Sequence, residues 1–353
     1  MTFQIRLLFI LILLIAPSFR CNETVSKKQD NEIEKDSEAT VRFLEDQANQ
    51  KVDIYFGASL FTSYHYTEDY YKPFLYPLIT ASGKTLTRGF PIDPFPGERE
   101  DHPHHVGHWL NYGNVNGFDF WNHSDAIPLE KKDQYGTVFN KSVQLDQNEA
   151  ALNVVAQWKS PDGTILIEEQ TKFIFSEVGN NRIIDRETTL IAKTKVRLKD
   201  NKEGFFAVRV TRALEHPSKK PEIFIDANGI PSEVKALNNE GVTGLYLSSK
   251  GITGESVWGT RAEWVALNGV IDQENVSITV YDHPENIGYP TYWHARGYGL
   301  FAANPLGQKI FSKGAQELNA SIEKNNSLTF KYRLVVSNGE AVDQVTANQL
   351  KNF

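Results

Sequence analysis

Leu152-Asn-Val-Val-Ala-Gln-Trp-Lys-Ser-Pro-Asp-Gly-Thr-Ile-Leu-Ile-Glu-Glu-Gln-Thr-Lys-Phe-Ile-Phe-Ser176 decides the fold class. Leu152, Val154 and Ala156 recur at every second position, as do Ile165 and Ile167, and the run Lys172-Phe-Ile-Phe-Ser176 follows. A period of two puts apolar side chains on one face of an extended strand, and Pro161-Asp-Gly163 is a turn signal between two such strands. The same spacing returns in Val52-Ile54-Phe56, Phe206-Val208-Val210, Val276-Ile278-Val280 and Leu328-Phe330-Tyr332. Turn signals separate these runs at Ser82-Gly83, Gly179-Asn-Asn181, Asn228-Gly229, Asn268-Gly269 and Asn304-Pro305. Helical patterns are short, near residues 36–48 and from Ala341 to Leu350. No fixed repeat points to a propeller or solenoid. The expected fold is all-β, a large antiparallel β-sandwich, and by analogy a supersandwich of the galactose-mutarotase type.

The ends of the chain bound its setting. Arg6 precedes the apolar run Leu7 to Ala16, then Pro17 and Ser18, a pattern of export signals that is short for a bilayer span. Residues 1–20 are therefore read as a signal peptide, 21–48 as a polar tether and 49–353 as one β-sandwich domain. The only cysteine, Cys21, stands where a lipid-bearing cysteine would follow the signal, although Arg20 replaces the usual small residue. The expected localisation is exported, either periplasmic or lipid-anchored to the outer membrane, with that lipid as the one membrane contact. A single cysteine excludes an intrachain disulfide framework. The net charge is −7 and no basic stripe stands out, which argues against a nucleic-acid partner.

Chemistry concentrates in Asp101-His-Pro-His-His-Val-Gly-His108, extending through Trp109 and Trp121 to His123. Five of nine histidines fall here, and imidazole moves protons near neutral pH and ligates transition metals. Pro103 interrupts any strand, so the cluster belongs to a loop, edge or bulge. Three readings stay open: a metal site built from His102, His104 and His105, metal-free acid/base chemistry by His104 or His105, and a loop held together by hydrogen bonds. The spacing matches no diagnostic zinc pattern; a divalent metal is a candidate cofactor but is not required.

A second group runs from Trp258-Gly-Thr-Arg261-Ala-Glu263-Trp264 through Asp282-His283-Pro284 to Trp293-His294-Ala-Arg296. Asp101-His-Pro is echoed by Asp282-His-Pro, and five of the six tryptophans lie in these two groups. Arg261 between Trp258 and Trp264 suits a clamp for a polyhydroxylated or carboxylate ligand, because arginine offers a fixed fork of donors and aromatic faces stack on sugars. Asp101, Asp282 or Glu263 would orient the catalytic imidazole, with His283 as the echo's counterpart. Trp109, Trp293, His294 and Asn116 complete the expected ligand contacts. Arg209 sits at an inward alternation and ranks below Arg261.

These motifs resemble a family. Asp101-His-Pro-His-His, Gly113-Asn-Val-Asn-Gly-Phe-Asp-Phe-Trp121, Glu203-Gly-Phe-Phe-Ala-Val-Arg209, Trp258-Gly-Thr-Arg-Ala-Glu-Trp264 and Tyr289-Pro-Thr-Tyr-Trp-His-Ala-Arg296, in this order, resemble the bacterial DUF6807-like family of unknown function that carries the label "methane oxygenase PmoA". The resemblance spans about residues 50–335. It implies a β-sandwich protein of bacteria that degrade complex glycans, often encoded near sugar oxidoreductases. One departure is Val106, where the family pattern has arginine.

The leading expectation is a carbohydrate-active enzyme, a lyase, hydrolase or epimerase whose partner is a sugar or modified glycoside. The alternatives are a non-catalytic carbohydrate-binding protein and a metal-dependent oxygenase using two histidines and a carboxylate.

Overall fold

The computed structural model describes residues 41–218, 222–225, 231–234 and 238–353. The signal peptide, Cys21, most of the tether and the turn signal Asn228-Gly229 lie outside the described residues. Two eight-stranded sheets dominate. The first runs, neighbour to neighbour, Val41–Asp46, Lys51–Phe56, Ser59–His65, Phe74–Leu75, His108–Tyr112, Gly204–Arg209, Leu300–Asn304 and Tyr292–Ala295. The second runs Leu245–Ser248, Trp264–Ile271, Glu274–Asp282, Ser327–Gly339, Asn181–Ala192, Ile165–Val178, Ala151–Lys159 and Thr137–Asp146. Pairing is antiparallel throughout both.

The stretch from Leu152 to Ser176 forms the expected hairpin, with Leu152 opposite Phe173. Its turn is fixed by Asp162, whose Oδ1 accepts from the Ser160 hydroxyl at 2.6 Å and the Thr164 amide at 3.0 Å. The sheets face each other. Phe206 stacks on Tyr332 at 4.5 Å and Phe205 meets Phe330 at 4.3 Å, each pair joining one sheet to the other. Every such fully buried aromatic contributes about 1.5–3 kcal/mol through apolar area removed from water.

Two expectations need correction. Val41–Asp46 is an edge strand inside the stretch read as helical and as tether, paired in register with Lys51–Phe56. Asn268-Gly269 is no turn but the interior of Trp264–Ile271. A Cβ on Gly269 would come within 2.4 Å of Leu214, so the missing side chain admits a packing neighbour rather than a turn. The C-terminal helix is present at Gln344–Gln349, capped by Asp343, whose carboxylate accepts from the Thr346 amide at 2.8 Å. Among the described residues no helix is long and apolar enough to cross a membrane.

Because strands alternate, what turns away from the sandwich core is as ordered as what turns in. On the first sheet Trp109 lies opposite Ala207, Ala207 opposite Ala302, and Ala302 opposite His294. These four form one row on the outer face, since their neighbours Leu110, Phe206, Ala303 and Trp293 belong to the core between the sheets.

Candidate functional site

Two alanines make a low floor in that row, with Trp109 at one end and His294 at the other. Over it lies the loop of residues 101–107. Arg209, two positions beyond Ala207 and so on the same face, anchors this loop. Its Nη2 donates to both Asp101 oxygens at 3.0 Å, and its Nη1 donates to His105 Nδ1 at 3.2 Å. Arg88 shapes the loop from behind. Its guanidinium donates to the carbonyls of Arg99, Asp101, His102 and His105 at 2.7–3.2 Å. Gly107 closes the loop at φ +50°, where a Cβ would lie 2.2 Å from the Leu75 carbonyl oxygen. A side chain is excluded there on both counts.

The imidazoles pack as a group. His102 stacks on His105 at 4.7 Å and on Tyr298 at 5.2 Å, both at 7° between planes. His104 meets His105 edge-on at 4.4 Å, and His105 lies on Trp109 at 5.3 Å. Trp121 packs on Trp109 at 5.0 Å. His102 is held in the left-handed region, φ 47°, a conformation rare for a side chain of this size.

Hydrogen bonding fixes proton positions. A guanidinium only donates, so His105 Nδ1 must accept, and the neutral ring carries its proton on Nε2. His102 Nδ1 donates to Asp101 Oδ2 at 2.5 Å, which leaves the basic lone pair of the neutral ring on Nε2. Burial pushes the Asp101 carboxyl up, but the charge of Arg209, with His102 and Arg88, outweighs it and holds the group well below the usual carboxylate range. Burial lowers His102, partly offset by Asp101. Burial, then the cationic neighbours, hold His104 and His105 well below the ordinary imidazole value. His294 is likewise depressed by burial and by Arg296 and Lys202. The site therefore holds an ionised Asp101 among neutral imidazoles, with the Arg88 and Arg209 guanidiniums beside it and buried Glu215 acting on both. Beneath it Lys72 donates to the Trp121 carbonyl at 3.1 Å and is pulled down to about 7 by burial.

Several buried polar atoms here have no protein partner: His104 Nε2, Trp109 Nε1, Trp121 Nε1, Trp258 Nε1 and His294 Nδ1. Buried hydroxyls of Thr62, Ser277, Thr279 and Tyr332 elsewhere in the sandwich likewise lack a protein partner; what is particular here is that ring nitrogens gather near one loop.

Of the second motif group, the structure brings His294 and Trp258 to this face. Arg296 lies 5.8 Å over both the Trp258 and Tyr298 rings, linking them to His102. The others have different work. Arg261 donates to the carbonyls of Gly288, Tyr289 and Pro290, bracing a turn rather than clamping a ligand. Asp282 accepts from Asn286 Nδ2 and the Thr291 amide, and His283 Nε2 bonds the Phe353 carbonyl. Glu263 faces Lys351, and Trp264 donates to Asn348 beneath the C-terminal helix. Trp293 is turned into the sandwich core, donating to the Ala262 carbonyl. Asn116 ties the Lys195 carbonyl and the Arg197 amide. Within the histidine run, His108 faces the interior and His123 bonds the Gly136 carbonyl. Sequence reasoning missed Arg88, an isolated cation in a Gly/Pro-rich stretch, and Tyr298. It also ranked Arg209 below Arg261, whereas Arg209 is the arginine bonded to Asp101 and His105. Val106 is fully buried against Trp109 and Tyr298, which accounts for an apolar residue there.

The imidazoles do not fit a metal. Parallel stacking of His102 and His105 keeps their nitrogens from converging on one point, and both Nδ1 atoms are engaged. Arg88 and Arg209 would repel a cation. Among the described residues no group of three or more His, Cys, Asp or Glu is arranged to hold one.

The sequence from residue 51 to 352 matches a family of unknown function, DUF6807. The chain belongs to this family. The match supplies no support for the methane-oxygenase label. No curated protein matches. Among solved structures, a galactose mutarotase-like protein from Clostridium acetobutylicum is similar over 85% of this chain and 99% of its own, at 10% identity and TM-score 0.38. A galactose mutarotase related enzyme from Lactobacillus acidophilus covers 86% and 99%, at 8% identity and TM-score 0.32. The GH36 α-galactosidase AgaB from Geobacillus stearothermophilus is similar over 85% of this chain at 11% identity and TM-score 0.35; this chain spans 41% of its length.

Proposed function

We propose that this DUF6807 protein is an exported carbohydrate-active enzyme that removes a proton from carbon beside a carbonyl or carboxylate, acting as a lyase or epimerase. The observation that carries this reading is the Asp101–His102 pair, 2.5 Å apart, set over the Trp109–His294 row. An ionised carboxylate that fixes a neutral imidazole's tautomer is how a histidine is made a directed base. His105, a neutral donor through Nε2, stands ready to bond the oxygen on which charge develops, with the Arg209 guanidinium beside it. Two-carboxylate glycoside hydrolysis finds no support in this arrangement, because Asp101 is committed to Arg209 and His102. Among the rings of this face the partly exposed Trp258 is the one suited to a sugar ring, since His105 covers Trp109 and His102 covers Tyr298. Export rests on the apolar run Leu7 to Ala16, and a lipid on Cys21 would be the membrane contact.

The test is turnover in D2O with a panel of neutral, keto- and uronic sugars. Deuterium should enter the product at the carbon that loses its proton. His102→Asn should cut the rate by about 10²–10⁴, with sugar binding retained. An unchanged rate, or products without deuterium, overturns the reading, and binding without any turnover favours a carbohydrate-binding protein.

A further inference from the structure

The strand Val196–Leu198 turns Val196 and Leu198 into the core and leaves Lys195, Arg197 and Lys199 exposed at alternate positions. These three cations line one side of an open groove of about 530 Å³ with Asn114, Asn116 and Gly117. No acidic and no aromatic residue lines it. The chain as a whole is acidic, at −7, so the fold gathers this positive strip against the overall balance. Lys195 is shared with Glu323 at 2.5 Å, on the flank. Asn116, held at φ 55° by its bonds to the Lys195 carbonyl and the Arg197 amide, fixes the opposite wall against the cationic strand.

Both walls of the groove lie close in sequence to the strands of the histidine site. Asn114 stands two residues beyond the strand His108–Tyr112, which carries Trp109. Lys202, three residues beyond Lys199, acts electrostatically on His294. Successive same-face positions on a strand are about 6.8 Å apart, so the three cations span about 14 Å, more than one small anion needs. A repeating anion fits that strip. Without aromatic faces the groove offers no stacking for a neutral sugar ring or a nucleobase, and recognition there is by charge and amide hydrogen bonds.

We infer that this groove binds an acidic polysaccharide, a chain of uronate or sulfated sugars, and leads it towards the histidine site. The substrate class rests on the carbohydrate reading proposed above. A uronate provides the carboxylate beside which His102 would act. In β-elimination the C–H proton passes to His102, its electron pair forms the C=C bond as the neighbouring C–O bond breaks, and His102 returns the proton to the departing oxygen.

The test measures binding of the purified protein to polygalacturonate, dextran sulfate, uncharged dextran and inorganic polyphosphate at low and physiological salt. Polygalacturonate or dextran sulfate should bind with a steep salt dependence, and uncharged dextran at least tenfold more weakly. Arg197→Gln with Lys199→Gln, both exposed, should weaken binding of the acidic polymer about tenfold and flatten the salt dependence. Equal binding of dextran, equal or tighter binding of polyphosphate, or an unaltered affinity in the double variant overturns the proposal. His102→Asn separates the two readings. It should keep the groove's affinity; if it also keeps turnover, the catalytic reading falls while the groove stands.

Discussion

Each sheet carries a row of four residues on its outer face, and the two rows are built from similar residue types to opposite effect. On the first sheet the row is Trp109, Ala207, Ala302, His294. On the second it is Trp264, Tyr281, Arg333, Asp185. In the second row each polar group is answered. Trp264 donates to Asn348, Tyr281 to the Ala347 carbonyl, and Arg333 to both Asp185 oxygens and to the carbonyls of Leu350 and Asn352. The C-terminal helix covers that face. In the first row the Trp109 indole and the His294 Nδ1 are buried without protein partners, under a loop whose His104 Nε2 and neighbouring Trp121 Nε1 are equally unmet. Tryptophan, arginine and the Asp-His-Pro tripeptide occur beside both. The two rows therefore differ less in composition than in whether their own polar groups are satisfied, although Ser277 and Thr279, beside the second row, also lack a protein partner.

The largest effect that tests this contrast is expected at Arg88. Arg88→Met removes the guanidinium from the Arg99, Asp101 and His105 carbonyls, while the His102 carbonyl keeps the His105 amide, and it leaves Asp101 with one cation fewer. It should cost about 3–5 kcal/mol in chemical denaturation, together with activity, since the loop carries His102. Arg333→Met should cost less, because Asp185 is partly exposed and water can answer it. Equal losses would show that the two faces do not differ as described.

A smaller difference should follow pH. His102, His104, His105 and His294 all have folded-state values below the ordinary 6.5, and His108 and His123 are lowered to about 3 and about 4, each chiefly by burial. A histidine lowered in this way is fully tolerated above 6.5, and stability is lost as pH falls below that value because the unfolded chain then takes up the proton first. Asp119 and Asp282, raised by burial to about 7, act in the opposite sense between 3.8 and about 7. The decisive comparison is therefore differential. His104→Gln should lose less stability than the parent between pH 7 and pH 5. A curve parallel to the parent's would remove His104 from the buried set.

The sandwich was legible because period-two runs such as Leu152-Val154-Ala156 report directly on which side faces a core. Loop composition likewise placed His102, His104 and His105 in one group, since Pro103 forbids a strand. The partners of that group were not legible. Arg209 comes from a strand 108 residues beyond Asp101 and Arg88 from a loop with no pattern of its own, and only the folded arrangement puts them on Asp101. Arg261, Asp282 and His283 misled for the same reason: an arginine between tryptophans reads alike whether its donors meet a ligand or the carbonyls of Gly288 and Pro290. The cationic strip was also hidden, because Lys195, Arg197 and Lys199 are separated by core residues and become a surface only once the strand forms.

The smallest expected effect is the most specific. Trp109→Phe and Trp264→Phe each remove an indole N–H from a fully buried ring of one row. At Trp264 that N–H is bonded to Asn348 at 3.1 Å, so its loss should cost about 1 kcal/mol of stability and leave ligand affinity unchanged. At Trp109 the N–H has no protein partner to lose. Beyond the shared loss of ring area, Trp109→Phe should therefore be the less destabilising of the two, and under the proposed function its effect should fall on KM instead. Measuring both variants by denaturation and by steady-state kinetics gives a crossed pattern if the unmet groups of the first face belong to a ligand. Stability losses of the same size with no change in KM would mean that the first face, like the second, is only a packed surface.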